Sequence, residues 1–251
     1  MIPALTKEYS MRLLLISASA LALVACGGPA TSTNTAEAPV VAEATLTAAP
    51  AAEVTYAKAA TYHLDPNHAS LIWRVSHLGM SNYTARFTQF DATIEFNPDD
   101  ASLTSVSATI NPLSVETHYP GDFKAGHPDS PYDGFNEEIA NSPDYLNAGE
   151  FPEITFQSTS ITTTGPDTGT VTGDLSFLGV TKPVTLDVKY NGVTNFPWAP
   201  EADHIGFSAT ATLNRSDFGQ TVGAPYVGDE VEVIIEAEFD EVVPAQAPTE
   251  E

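Results

Sequence analysis

Cysteine is nearly absent from this chain: Cys26 is the only one in 251 residues. A lone thiol excludes an intrachain disulfide and any site built from several cysteines. Positive charge is the second scarcity, with nine Lys and Arg against 33 Asp and Glu and a formal net charge of −24. Those nine (Lys7, Arg12, Lys58, Arg74, Arg86, Lys124, Lys182, Lys189 and Arg215) are scattered along the sequence. Nucleic-acid binding needs such residues gathered on one face, and an acidic field repels phosphate backbones and anionic bilayer surfaces alike. Catalytic motifs are missing too. There is no G-x-S-x-G elbow, H-E-x-x-H helix or Walker loop, and no carboxylate pair stands out as a tuned dyad. No catalytic residue is therefore assigned. His118, Asp122, His127, Asp129 and Asp133 are metal-compatible types, but their spacing matches no zinc or calcium loop, so no metal is expected.

The chain has a single long apolar run, Leu13–Val24, too short to span a bilayer as a helix. Lys7 and Arg12 precede it, and Leu23-Val24-Ala25 leads into Cys26. A basic segment, an apolar segment and small residues before a cleavage point mark a secretory signal. The placement of Cys26 resembles a bacterial lipobox, which implies an acyl anchor on that thiol. The expected organisation is a lipoprotein signal peptide over 1–25, with Met11 as an alternative start, and a disordered Ala/Thr/Pro-rich tether over 26–60. A folded domain follows over 61–242, and an acidic tail over 243–251. The tether is too poor in large apolar residues to fold, and its random-coil reach is about 30 Å. Gly27 after Cys26 lacks the Asp that retains many lipoproteins at the inner membrane, which points to a periplasm-facing position on the outer membrane.

Within the domain, apolar residues recur with period two between turn signals. Leu71, Trp73, Val75 and His77 share one face; so do Ala92, Ile94 and Phe96; Val106, Ala108 and Ile110; and Ile154 and Phe156. In 171–192, Val171, Leu175 and Phe177 alternate with polar residues, then Val184, Leu186, Val188 and Tyr190 do the same after a turn expected at Gly179–Pro183. Ile205, Phe207, Ala209, Ala211 and Leu213 alternate cleanly. Val231, Val233, Ile235, Ala237 and Phe239 do so against outward Glu230, Glu232, Glu236 and Glu238. About eight strands, each with one apolar face, predict an all-β antiparallel sheet curled around a core. The segment His118–Glu150 breaks the pattern. It is polar and proline-containing, with helical turns expected at Asn136–Ala140 and Asp144–Ala148, capped by Asn136 and Asp144, and it reads as a side helix or lid packed on the barrel.

Several motifs in order carry a resemblance. Tyr62-His63-Leu64-Asp65 with His68 comes first, then Trp73-Arg74-Val75-Ser76-His77-Leu78-Gly79, and Arg86-Phe87 with Phe90. Phe151-Pro152-Glu153-Ile154-Thr155-Phe156 with Ser158-Thr159, the Val171–Gly192 hairpin and Asn214-Arg215-Ser216-Asp217-Phe218-Gly219 follow, and Gly228-Asp229-Glu230-Val231 leads into the last strand. Together they resemble the YceI family of bacterial lipid-binding barrels. The departure is in the long connection, where the basic stretch usual in that family is replaced by Asn136-Glu137-Glu138-Ile139-Ala140-Asn141-Ser142.

The resemblance implies a lipocalin-like eight-stranded barrel whose cavity holds a polyisoprenoid or quinone-like amphiphile, with a carrier or stress role and no other cofactor. The wall residues expected to touch it are Leu71, Trp73, Val75, His77, Phe87, Ile94, Phe96, Val106, Ala108, Ile154, Phe156, Leu175, Phe177, Val184, Leu186, Val188, Phe207 and Ala209. His77, Arg86 and Arg215 are the head-group candidates, although each arginine equally suits an ion pair with a carboxylate such as Asp217. The loop around Trp198 is expected to cap one barrel end. The expected partners are the lipid and a membrane reached through Cys26, with no nucleic acid. Two other readings stay open: an envelope interaction protein with a filled barrel, and a hydrolase using the His/Asp-rich insertion.

Overall fold

The computed structural model describes residues 53–243. The signal peptide, Cys26, the tether up to residue 52 and the tail from residue 244 lie outside the described residues. Ten strands are present among them: β1 (Ala60–His77), β2 (Ser81–Phe87), β3 (Phe90–Phe96), β4 (Ser105–Ile110), β5 (Val115–Thr117), β6 (Ile154–Thr163), β7 (Thr168–Phe177), β8 (Val180–Phe196), β9 (Ala199–Asn214) and β10 (Val227–Glu241). All pairings are antiparallel, and β10 returns to pair with β1 from Tyr62↔Glu241 to His77↔Val227. The result is a closed eight-stranded barrel, because β2 with β3, and β4 with β5, are each one wall strand broken at a corner. β1 meets β3 over Ala60–His63 and β2 over Leu71–His77. The corner is held by Ser114: its carbonyl accepts the Thr88 N–H at 3.1 Å, and its hydroxyl accepts the Gln89 N–H at 3.0 Å.

Alternation puts one apolar row inside each strand, and the ends of the barrel differ. At the end where β1 starts, Tyr62 is 0% exposed and packs with Leu64, Ile94, Tyr190, Ile205 and Phe239. The folded part starts earlier than Thr61: Ala57 is 3% exposed in this core, and its N–H donates to the Tyr190 hydroxyl at 3.1 Å. An apolar foothold at Ala57 breaks the expected tether before residue 60.

At the opposite, helical end, β5 pairs only with β2. The gap beside it is filled by the long connection, which contains α1 (Phe123–Gly126) and α2 (Phe135–Asn141). Ile139, Ala140 and Leu146 pack on Val115, Trp73 and Phe87. Asn136 does not cap α2 as expected. Its side-chain oxygen accepts from the Thr117 N–H at 2.9 Å and the Thr117 hydroxyl at 2.6 Å, tying the helix to β5. Asp122 is the capping residue, at α1, with Ala125 N–H donating at 3.1 Å. Residues 144–148 form turns rather than a helix.

The β7–β8 hairpin is tighter than its sequence suggests. Leu178 (φ 50°) and Gly179 (φ 73°) form a two-residue turn, the geometry whose twist matches paired strands. Pro183 therefore lies inside β8, opposite Asp174. It is tolerated there because β8 pairs with β9 only from Asp187 onward, so a missing N–H breaks no ladder on that side. Trp198 does not cap the barrel. It is 79% exposed at the β8–β9 turn and stacks on Phe196 at 4.8 Å.

Arg215 opens a 3-10 turn after β9 and is 5% exposed. Its guanidinium donates to the carbonyls of Gly228 (2.7 Å), Val222 (2.8 Å), Val227 (2.9 Å) and Gln220 (3.4 Å), and also to the Gln220 side chain. One side chain thus satisfies the carbonyls of the loop leading into β10. Arg215→Met is expected to destabilise the fold by about 2–5 kcal/mol, because buried carbonyls lose their donors. Arg86→Ala, which breaks an exposed pair, is expected to cost no more than about 1 kcal/mol. Urea denaturation midpoints check the contrast; equal losses would contradict it.

His204 is buried on the outer face of β9 under the Phe196 ring, with Nδ1 2.7 Å from Asp240 and Nε2 2.7 Å from Glu238. Burial pulls its pKa down, but the hydrogen bonds to Glu238 and Asp240 outweigh it, so the value is raised above 6.5. Both nitrogens can donate only in the imidazolium. The stability this lends is complete below pH 6.5 and is lost as pH rises through the folded value. Between about pH 6 and pH 9, the wild type should lose stability relative to His204→Gln. Denaturation midpoints that keep a constant difference across that range would contradict the assignment.

Candidate functional site

The barrel is not filled. A cavity of about 840 Å³ runs inside it, from the helical end to the loops 97–104 and 163–170 at the other. That size lies within the roughly 300–1,000 Å³ of pockets that enclose a small amphiphile. Every expected wall residue lines it: Leu71, Trp73, Val75 and His77 on β1, Phe87 on β2, Ile94 and Phe96 on β3, Val106 and Ala108 on β4. Ile154 and Phe156 follow on β6, Leu175 and Phe177 on β7, Val184, Leu186 and Val188 on β8, and Phe207 and Ala209 on β9.

The space has a local cause. Ala92 faces Ala108 across β3 and β4, and Ala209 and Ala211 sit on β9. Gly173 on β7 leaves room for the Phe156 ring, since a Cβ there would stand 2.4 Å from Phe156 Cζ and 2.6 Å from the Gln157 carbonyl. Large rings gather near the ends instead. Tyr190 stacks between Phe96 (5.8 Å) and Tyr56 (5.6 Å), while Tyr83 meets Phe135 edge-on at 6.0 Å.

The head-group candidates separate. Arg86 is a correction: it points outward on β2 and pairs with Glu116 on β5, with Nε 2.6 Å from the carboxylate. Odd-numbered β2 residues face inward, which puts an even-numbered residue on the wet face. Arg215 lines the cavity, but its partners are backbone carbonyls rather than Asp217. His77 lines the cavity from an exposed position at the helical rim.

Sequence reasoning missed the contribution of the long connection. Tyr119, His127, Phe135, Ile139, Tyr145 and Leu146 all line the helical end. Burial raises the Tyr145 pKa, with Glu138 and Asp144 adding to it. His127 stacks on Phe123 at 4.5 Å, and its Nδ1 lies 3.2 Å from the Phe123 carbonyl. Among the described residues, no group of three or more His, Cys, Asp or Glu side chains converges as metal ligands do. Among the described residues, two buried side-chain polar atoms have no hydrogen-bond partner, Trp73 Nε1 and Tyr83 Oη, both on residues that line the cavity. Tyr83 was legible from its parity with Phe87.

The same barrel recurs in known proteins. A YceI protein of Campylobacter jejuni superposes with a TM-score of 0.53 at 27% identity, covering 67% of this chain and 90% of that one. A polyisoprenoid-binding domain from Saccharophagus degradans shares the fold, with a TM-score of 0.51 at 11% identity over 74% of this chain and all of its own. The YceI protein of Salmonella arizonae is 35% identical over 184 residues, 72% of this chain and 87% of that protein. The YceI-like domain model matches residues 62–239, from the first buried tyrosine of β1 to the last buried phenylalanine of β10, and by that match the chain belongs to the YceI-like family.

Proposed function

We propose that this protein binds an amphiphile with a long isoprenoid tail, holding the tail along the barrel axis, and that it does so in the bacterial cell envelope from an acyl anchor on Cys26. The observation that carries the reading is the open apolar cavity inside a closed wall. A tail that buries about 300 Å² of apolar surface gains about 7 kcal/mol before ordering costs, at about 25 cal/mol per Å². No reactive group is needed for that gain, and the reading is a binding protein rather than an enzyme. The polyisoprenoid-binding domain of Saccharophagus degradans, which has the same fold, supports this ligand class. A carrier role follows from the proposed tether, which would keep the barrel beside the membrane that supplies the lipid. The alternative of a filled barrel serving as an interaction protein is disfavoured by the volume of the cavity.

The test is organic extraction of protein purified from the envelope of expressing cells, followed by lipid mass spectrometry. A stoichiometric isoprenoid lipid is expected; repeated absence of any lipid would sink the reading. Ala108→Phe and Ala209→Phe add bulk inside the cavity. Each should reduce co-purified lipid several-fold and move Tm by no more than a few degrees. A filled core predicts the opposite: overpacking by about 1–3 kcal/mol, a Tm loss of several degrees, and no change in lipid.

A further inference from the structure

The chain crosses the mouth of the barrel before it joins the wall. β1 begins at Ala60. Around the closed ring β7 stands opposite β1, with β10, β9 and β8 between them on one side and β3, β4 and β6 on the other. Residues 56–58 bridge that width. The Tyr56 hydroxyl donates to the carbonyl of Pro166, in the loop before β7. The Ala57 N–H donates to the Tyr190 hydroxyl on β8 at 3.1 Å. Lys58 reaches β9 and β10. Its N–H donates to Asp203 at 3.0 Å, and its ammonium donates to the Glu201 carbonyl at 2.7 Å and pairs with Glu241 at 3.0 Å.

This strap is held differently from the wall beneath it. Its bonds end on side chains and on single carbonyls rather than on a strand ladder, so it can lift while the sheet stays closed. Lys58 is its firmest point, because the Lys58 carbonyl also accepts from the Tyr62 hydroxyl at 2.9 Å. Upstream of Lys58 the strap rests on Ala57, on the Tyr56 ring and on the partly buried Val54. The Tyr56 ring is the outer member of the stack that begins with Phe96 of β3 and Tyr190 of β8. The other two rings are fixed by strands; Tyr56 is not. Tyr56 lines the cavity and is nevertheless 44% exposed. A ring that belongs to both the inner wall and the outer surface stands at an opening. Asn97 and Pro98 of the β3–β4 loop and Pro166 and Asp167 of the β6–β7 loop line the cavity at the same end.

From this geometry we infer that the end where β1 starts is the portal of the cavity, and that residues 53–57 are its gate. The gate swings about Lys58, and the Tyr56 ring is the part that must move aside for a ligand to pass. Opening it uncovers one alanine and one face of a tyrosine stack. Opening the helical end costs more, because α2 is tied to β5 through Asn136 and buries Ile139 and Leu146 against the wall. The inference rests on the lipid-binding reading and adds the route of entry and the moving part.

Stopped-flow fluorescence with all-trans-retinol, a fluorescent isoprenoid alcohol, tests it on the delipidated full chain, with release followed by dilution into phosphatidylcholine vesicles. A gate limits passage in both directions, so Tyr56→Ala should raise the association and release rates together, each about fivefold or more, with Kd changed less than about threefold. Tyr56→Phe, which loses only the bond to Pro166, should raise both by a smaller factor. Trp198→Ala removes an exposed ring at the same end that does not line the cavity, and should leave both rates unchanged. Faster release with unchanged association would make Tyr56 a simple ligand contact and overturn the inference. Wild-type rates in Tyr56→Ala would place the portal at the helical end and overturn it equally. Hydrogen exchange supplies a readout without ligand. The Ala57 and Lys58 amides should exchange at least about tenfold faster than amides in the middle of β10, which is paired on both sides. Equal protection would mean that the strap opens only when the barrel does, which overturns the gate. Absence of retinol binding in every variant would count against the lipid-binding reading, while the exchange measurement still decides the gate.

Discussion

Everything inside this molecule depends on the hydrogen-bonded closure of β10 onto β1. An unclosed sheet would have two free edges and an apolar face open to water. Closure also locks register, because a slip of one residue would turn each apolar row outward. An eight-stranded barrel can either fill its interior with side chains or hold one small ligand. Here the choice is made by residue size along the wall. Ala92, Ala108, Gly173, Ala209 and Ala211 lie between the ends, while Tyr62, Phe96, Tyr190 and Phe239 close one end and Trp73, Phe87 and Phe135 crowd the other. The tapered distribution leaves an elongated space rather than a packed core.

Period-two patterning made most of this wall readable in advance. Leu71, Trp73 and Val75, or Val184, Leu186 and Val188, face inward because strand geometry allows nothing else once one of them is buried. What the pattern could not carry was any contact set by loop conformation. Tyr119, Phe135, Tyr145 and Leu146 reach the cavity from turns and a short helix with no sheet periodicity. Ala57 is buried by a chain end whose composition reads as linker. Arg215 was recognisable as special, but its partners are carbonyls brought to it by the loop before β10, and carbonyls have no signature in a sequence. The broken strands misled in a different way. Val106, Ala108 and Ile110 read as one short run, and only the Ser114 corner shows that β4 and β5 form one wall element.

Scarcity of positive charge also has a structural consequence. The three arginines of the barrel are committed: Arg74 to Glu232, Arg86 to Glu116, and Arg215 to backbone carbonyls. Two of these pairs sit on the outer face, where they relieve part of the acidic repulsion along β10 and β5. The third is buried and replaces the solvent that its loop carbonyls would otherwise need. Among the described residues, Arg215 is the one Lys or Arg that lines the cavity, and its N–H groups are already engaged.

Inside and outside therefore follow one rule with opposite results. The outer face carries rows such as Glu230, Glu232, Glu236 and Glu238, and a surface of that sign is repelled by anionic lipid head groups. Charge cannot hold such a barrel on a bilayer, so the membrane association proposed above would rest on an acyl group at Cys26. Among the described residues the inner face is largely apolar, and the one arginine that lines it, Arg215, is held by backbone carbonyls. Under the proposed reading, a ligand crossing from membrane to cavity gains from burial of its tail against that apolar wall.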